Sequence, residues 1–183
     1  RSLDYAEITF KKFADELEEN LAAGIYAFKG AEKTRVTWEG IAVWPYLGHT
    51  FKSLKALGSI MTGSAYPGLW DLHYDAHDES LHSMAEAYTR IYINTCLENK
   101  VNVLLNIVNN GKCDGIVYHL NRSCKLMSFL NVETAEIIKE KTGLPYVSFD
   151  GDQTDPRNFA PAQFDTRVQA LAEMMEANLA AAE

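Results

Sequence analysis

Apolar residues recur along the chain with two periods, one typical of helices and one typical of short buried strands. Residues 4–23 carry apolar side chains on one stripe and acidic side chains on the other face, which predicts an amphipathic helix. Short apolar runs at residues 36–44, 59–65, 116–120 and 146–149 follow, and a helical pattern comes after each of them. The chain is therefore predicted to contain four strands that alternate with helices.

The helical segments between the strands have recognisable ends. The pattern of the second one weakens at Asn99 and Lys100, where an interruption is expected, and Gly143 followed by Pro145 is a strong stop for the third. Ser80 is a candidate N-cap. The predicted helices cover residues 50–57, 80–108 and 126–142, and a last one begins at Pro161.

Strands that alternate with helices favour parallel pairing through right-handed crossovers. No hairpin signal joins any two of the strands. We therefore predict an α/β fold of flavodoxin-like type: a doubly wound sheet of four parallel strands in the order second–first–third–fourth, with helices on both faces. Ligands of such sheets bind beyond the carboxyl ends of the strands where the order reverses, here at Trp44–His49 and His119–Lys125.

The domain prediction divides the chain at residue 34. Residues 1–34 form a helix and a connection, and residues 35–183 form the flavodoxin-like lobe. The sequence has no initiator methionine, so we expect it to be a piece of a longer protein. Met127, Phe129 and the Trp44–Tyr46 turn are then expected to be exposed where other parts of that protein would pack.

Composition limits the classes of function. Charged residues make up 23% of the chain and the net charge is −8, so there is no basic surface for a nucleic acid. No apolar run is long enough to cross a membrane and no signal peptide is visible. We expect a cytoplasmic protein with no nucleic-acid or membrane partner.

The candidate chemistry centres on the heptapeptide HLNRSCK, residues 119–125, in the turn after the third predicted strand. Cys124 follows Ser123 and precedes Lys125, and Arg122 lies two residues before it. Cations and the amide groups at a helix start both favour a thiolate, which is a nucleophile or a metal ligand. The alternative is a small apolar residue in a tight turn.

The other candidate residues are less specific. His119 is either a base for Cys124 or a satisfied core residue, and the histidines and aspartates of residues 71–82 are either a metal cluster or a polar loop. Cys96 lies in a predicted helix and Cys113 precedes the third strand, so both are interpreted as structural. No Cys-x-x-Cys pair exists, which argues against a self-contained zinc or ferredoxin-type site. The sequence contains neither a dinucleotide fingerprint nor a P-loop.

Two segments then identify a family. The stretch DGIVYHLNRSCKLMSF, residues 114–129, and the stretch EKTGLPYVSFDGDQTDPRNF, residues 140–159, closely resemble the benzoyl-CoA reductase and 2-hydroxyacyl-CoA dehydratase family. Within it they most resemble the alpha subunits of (R)-2-hydroxyglutaryl-CoA dehydratases. The dense resemblance runs from Asp114 to about Met175.

The resemblance implies a second lobe and a cofactor. Subunits of this family resemble two flavodoxin-like lobes that hold an iron–sulfur cluster, expected to be 4Fe-4S, through cysteines from both. Cys124 matches the cysteine of the second lobe, and a flavin is a further candidate cofactor. Residues expected to bind substrate or to support the cluster are His119, Asn121, Arg122, Ser123, Lys125, Trp44 and His49.

The activity implied by the resemblance is the reversible loss of water from a 2-hydroxyacyl-CoA such as (R)-2-hydroxyglutaryl-CoA. A ketyl radical, started by the injection of one electron, makes the β-proton acidic enough to leave. The expected partners are a second dehydratase subunit, an ATP-hydrolysing iron–sulfur activator protein and the acyl-CoA substrate, in an anaerobic bacterium.

Two alternatives stay open at this point. The chain is either part of a benzoyl-CoA-reductase-type enzyme or of a non-catalytic electron-relay subunit in the same family. From another class, it is a flavodoxin-like binding module without redox chemistry.

Overall fold

The computed structural model describes residues 2–75, 77 and 79–182, which form two compact units, Arg1–Ala31 and Glu32–Glu183. The first unit contains one long helix, α1 (Ser2–Ala22), which confirms the helix predicted at residues 4–23. The apolar stripe of α1, which includes Phe10, is solvent-exposed.

The second unit is built on a four-stranded sheet whose strands are all parallel. The order is β2–β1–β3–β4, which confirms the predicted topology and the reversal of strand order between β1 and β3. Glu39 of β1 lies beside Tyr118 of β3, and Asn121 of β3 lies beside Gly151 of β4. The strands are β1 (Thr34–Glu39), β2 (Ser59–Ser64), β3 (Gly115–Asn121) and β4 (Tyr146–Gly151).

Helices cover both faces of this sheet. On one face, Trp38, Val117 and Phe149 pack against helix residues such as Leu54 and Leu171. On the other face, Ile116 and Tyr118 pack against residues of two further helices. The helices of this unit are α2 (Leu47–Ala56), α3 (Ser80–Arg90), α4 (Leu97–Gly111), α5 (Lys125–Ser128), α6 (Asn131–Thr142) and α7 (Pro161–Ala182).

Two predicted helices are in fact each divided. The pattern at residues 80–108 breaks between Arg90 and Leu97 rather than at Asn99 and Lys100, because the chain becomes extended at Ile91 and buries Tyr92 in a short 3₁₀ turn. Ser80 is the first helical residue rather than the cap. The predicted helix at residues 126–142 is divided into α5 and α6 by two residues.

The first strand is shorter than predicted. It ends at Glu39 because Gly40 has a φ of +105°, and a Cβ atom at that position would lie 2.7 Å from the carbonyl oxygen of His119. The chain then turns through Ile41 into a 3₁₀ turn at Trp44–Tyr46. Trp44 is therefore at the carboxyl edge of the sheet and not in the strand.

The expectation of exposed apolar residues is confirmed for two side chains and wrong for one. Phe129 is 78% exposed and Trp44 is 50% exposed, whereas Met127 is completely buried. Met127 fills the space beneath its own turn, beside Ile41 and Tyr92, which a sequence pattern does not reveal. No helix in the described part of the chain is both long and apolar enough to cross a membrane.

Candidate functional site

Cys124 lies in the turn between β3 and α5, beyond the carboxyl end of β3. Its backbone N–H donates to the carbonyl oxygen of Asn121 at 3.3 Å, and its own carbonyl accepts from the N–H of Ser128 at 3.3 Å. The cysteine is partly exposed, free of any disulfide, and is the residue immediately before α5. Its side chain packs against a small cluster that contains Tyr92 and Met127.

Asn121 joins the Cys124 turn to the loop after β4. Its Oδ1 atom accepts from the N–H of Ser123 at 3.3 Å and from the N–H of Gln153 at 3.2 Å. Its Nδ2 atom donates to the side-chain oxygen of Gln153 at 3.1 Å. Asn121 is 2% exposed and its partners are partly or fully exposed, so these bonds fix two surface loops relative to each other from a buried side chain.

Asp152 makes a second link between the same loops. The Ser123 hydroxyl donates to its carboxylate, and so do the backbone N–H groups of Thr154 and Asp155 at 2.9 and 3.0 Å. The Ser123 bond and these N–H groups hold the pKa of the Asp152 carboxyl well below its ordinary value. The carboxylate therefore acts as a permanently charged acceptor that organises the loop.

A buried polar network lies on the α4 side of the same edge. The Tyr92 hydroxyl donates to Oε1 of Glu39 at 2.8 Å, and the ammonium group of Lys100 lies 5.0 Å from the centre of the Tyr92 ring. The same ammonium group donates to the carbonyl oxygen of Leu126 at 3.2 Å. The sequence analysis missed this network, although a lone carboxylate at Glu39, between Trp38 and Gly40 in an apolar strand, was a visible signal.

Burial decides the ionisation of Glu39. The residue is completely buried, and Oε2 has no hydrogen-bond partner among the described residues. Burial raises the pKa of Glu39 from 4.5 to about 7, against the opposing effects of the Tyr92 hydrogen bond and the Lys100 charge. Glu39 is thus protonated in mildly acidic solution.

This shift predicts a pH-dependent stability. In the folded state Glu39 binds a proton more tightly than in the unfolded state, so its stabilising contribution is complete below pH 4.5 and is lost as the pH rises to about 7. The loss should amount to about 3 kcal/mol at 1.36 kcal/mol per pKa unit. Glu39→Gln stays neutral and does not lose this contribution. Its free energy of unfolding, relative to that of the unmodified protein, should therefore increase as the pH is raised from 5 to 8.

The measurement is the free energy of unfolding in urea, at pH 5 and at pH 8, for the unmodified protein and for Glu39→Gln. Glu140→Gln, at an exposed position in α6, is the matched control and should show no such gain. An equal pH dependence in the unmodified and Glu39→Gln proteins would show that the buried carboxyl does not hold its proton.

The predicted residues near Cys124 fall at different depths. His119 is completely buried, its Nδ1 bonded to the carbonyl oxygen of Ile41 and its ring stacked on Phe149 at 5.0 Å. Burial lowers the pKa of His119. Arg122 and Lys125 are exposed, and Arg122 lies 3.9 Å from Asp150. The structure therefore places the cations at the surface of the turn and His119 in the core beneath it.

Trp44 and His49 have different surroundings. Trp44 lines an apolar cavity of about 230 Å³ between α2 and the ends of β1 and β2, together with Tyr66. His49 lies on α2 with its Nε2 atom 2.9 Å from a carboxylate oxygen of Asp165. The contacts of His49 thus join α2 to α7, and none of them reaches the Cys124 turn among the described residues.

The other cysteines do not lie in this turn. Cys113 is buried just before β3, with its sulfur 3.4 Å from the Thr62 hydroxyl. β3 has seven residues, so at roughly 3.3 Å per residue Cys113 and Cys124 lie ~20 Å apart at opposite ends of the strand. Cys96 is exposed before α4.

The described residues contain no group of three or more His, Cys, Asp or Glu side chains that could hold a metal ion. This includes the predicted alternative at residues 71–82, of which Ala76 and Asp78 lie outside the described residues. A metal centre that uses Cys124 therefore needs ligands from outside the described part of the chain.

Fold and sequence together define the class of protein. The family model of the 2-hydroxyglutaryl-CoA dehydratase D-component matches residues 3–175 of the chain. This stretch includes the flavodoxin-like sheet and the turn after β3 that carries Cys124. The chain belongs to this family, which confirms the resemblance found in the sequence.

Individual relatives show where in the family the similarity is greatest. The chain is 85% identical, over its whole length, to the lactoyl-CoA dehydratase subunit alpha of Anaerotignum propionicum, of which it covers 43%. It is 38% identical over 92% of its length to the (R)-2-hydroxyglutaryl-CoA dehydratase subunit alpha of Acidaminococcus fermentans, covering 35% of that protein.

A more distant relative is a benzoyl-CoA reductase subunit. The chain is 27% identical over 79% of its length to one of the subunits of the benzoyl-CoA reductase of Thauera aromatica, and it covers 34% of that subunit. In all three comparisons the chain spans less than half the length of the relative.

Proposed function

We propose that this chain is one lobe of an alpha-type subunit of an iron–sulfur 2-hydroxyacyl-CoA dehydratase. The observation that supports the proposal best is the partly exposed Cys124, in a turn at the carboxyl edge of the sheet, within the segment that matches the family. The enzyme is a hydro-lyase that acts on a CoA thioester. The rest of the subunit supplies the second lobe.

The residues present suit one corner of an iron–sulfur cluster. Such clusters are held by cysteine thiolates, and hydrogen bonds and nearby charges set their potential. Cys124 offers a sulfur free of any disulfide and packs against an apolar cluster, and the Lys100 ammonium group is bonded to the carbonyl of Leu126, two residues further on. The remaining ligands come from the rest of the longer protein.

The chemistry divides between cofactor and protein. When bound, the cluster would pass to the thioester a single electron that an ATP-hydrolysing activator protein supplies. In the overall reaction the bond from C2 to the hydroxyl oxygen and one C3–H bond break, a C2=C3 double bond forms, and water leaves. In this chain, Asn121 and Asp152 would hold the turn that carries the Cys124 sulfur in place, and Met127 would exclude water beneath that turn.

Lactoyl-CoA is the proposed substrate, with acryloyl-CoA as the product. The reason is the 85% identity with a lactoyl-CoA dehydratase subunit, compared with 38% for the hydroxyglutaryl-CoA relative. A second dehydratase subunit is the proposed partner, because these relatives are alpha subunits.

The test uses the full-length subunit, its second subunit and the activator, purified and assayed without oxygen. Iron and sulfide should both be bound, and lactoyl-CoA should lose water faster than (R)-2-hydroxyglutaryl-CoA. Dearomatisation of benzoyl-CoA in place of dehydration would assign the protein to the ring-reducing branch. A full-length protein that binds no iron would favour a binding module without redox chemistry.

A further inference from the structure

Lys100 is a lysine held inside the domain rather than extended into solvent. The residue is 2% exposed, although lysine is almost never fully buried unless it is paired. It lies in the first turn of α4, and its side chain runs towards the Cys124 turn, where the ammonium group donates to the carbonyl oxygen of Leu126 at 3.2 Å. Leu126 is two residues after Cys124.

Two contacts fix the position of this charge, and a third interaction holds the ring that makes one of them. Besides the Leu126 carbonyl, the ammonium group faces the ring of Tyr92 at 5.0 Å, which is a cation–π distance. The Tyr92 hydroxyl is held in turn by the buried Glu39 carboxyl at 2.8 Å. Tyr92 also belongs to the cluster against which Cys124 packs. The ring that faces the lysine is therefore part of the cluster against which the cysteine packs.

The electrostatics agree with this geometry. Burial lowers the pKa of Lys100, while the charges of Glu39 and of the Cys124 sulfur oppose that effect. A negative charge at Cys124 and a positive charge at Lys100 would thus attract each other in a partly apolar setting, where such an interaction is stronger than in water.

We propose that Lys100 is a positioning residue that places a fixed positive charge beside Cys124 and thereby favours the more negative, reduced state of a cluster bound there. The inference rests on the proposed function. It adds a residue on a different helix, 24 positions before the cysteine, to the control of that site. Glu39 and Tyr92 hold this charge in place.

The prediction concerns a reduction potential. In the full-length protein, Lys100→Gln keeps a hydrogen-bond donor but removes the charge, so the reduced cluster loses stabilisation and the midpoint potential falls. We expect the equilibrium constant for one-electron reduction to fall at least tenfold, equivalent to about 59 mV. Lys100→Arg keeps the charge and should stay within a threefold change.

The matched control is Lys139→Gln. Lys139 also faces a tyrosine ring, that of Tyr146 at 6.0 Å, but Tyr146 is the first residue of β4, at the opposite edge of the sheet. This variant should leave the potential unchanged. Each protein is reconstituted without oxygen, its iron content measured, and its cluster titrated while the electron paramagnetic resonance signal of the reduced form is followed.

The outcomes separate the inference from the function on which it rests. If the unmodified protein binds no iron, the proposed function fails, and this inference fails with it. If it binds iron and Lys100→Gln is reduced at the unmodified potential, the proposed function stands and the role of Lys100 is wrong. If Lys100→Gln cannot hold iron, the Lys100→Arg variant tests the role of the charge instead. Normal iron content and a normal potential in Lys100→Arg support that role, and loss of iron in a folded Lys100→Arg variant contradicts it.

Discussion

Cys124→Ala in the full-length subunit should abolish both stable iron binding and the dehydration of lactoyl-CoA. A methyl group cannot replace a thiolate as a ligand, and a cluster that loses one protein ligand becomes labile. The fold should survive, because Cys124 is a partly exposed residue in a turn and not part of the main core. We expect a loss of about 1 kcal/mol in the free energy of unfolding.

The two other cysteines provide matched controls for this experiment. Cys113→Ala should lower stability slightly, because Cys113 is buried between α4 and β3, and should leave iron content and turnover unchanged. Cys96→Ala, at an exposed position, should change neither property measurably. Full iron and full turnover in the Cys124 variant would show that Cys124 is only a small residue in a turn.

The topology of the sheet was predictable because local signals repeat along it. Each strand is a short apolar run followed by a helical pattern, and parallel sheets follow from that alternation. The boundaries were less predictable where tertiary contacts override the pattern. The break before Leu97 exists because Tyr92 turns inward to reach Glu39, a residue 53 positions earlier.

The candidate site was predictable in part for the same reason. Cys124 stood out because it follows a buried strand and is surrounded by cations, and both features are local in sequence. Lys100 was missed because nothing near it in the sequence indicates a partner on another element. Glu39 was visible as a lone carboxylate, but the sequence does not show that its partner is Tyr92. The opposite error is Met127, which was expected at the surface and fills the space beneath the turn.

His119 shows how a motif residue can act without touching a ligand. Gly40 and Gly151 lie on either side of it, and a Cβ atom at Gly151 would come within 2.6 Å of its Nε2. The ring fills the space that Gly151 leaves at the end of β4, and the backbone of His119 comes close to Gly40 just after β1. The histidine in the HLNRSCK heptapeptide thus packs β3 against its neighbours β1 and β4 beneath the Cys124 turn and is not an exposed base.

The loops above this edge depend on Asn121, and the second large effect is expected there. Asn121→Ala removes the acceptor of two backbone N–H groups, those of Ser123 and Gln153, at a position that is 2% exposed. Each hydrogen bond of this kind contributes about 0.5–1.5 kcal/mol, so the loss of two costs about 1–3 kcal/mol. The Cys124 turn and the loop after β4 should then be held together less tightly, through the Ser123–Asp152 bond.

The expected result for Asn121→Ala is a loss of about 1–3 kcal/mol in the free energy of unfolding and a roughly 10–100-fold lower affinity for iron, as is typical when a group that orients a metal ligand is removed. Asn109→Ala, at an exposed position of α4, is the matched control and should change stability by less than about 0.5 kcal/mol. Urea unfolding gives the first quantity, and reconstitution of the full-length subunit at limiting iron gives the second. If Asn121→Ala loses stability but binds iron normally, the amide supports the fold alone. If it loses iron while remaining as stable as the control, the two loops are held together by Asp152 and Ser123, and Asn121 orients Cys124 directly.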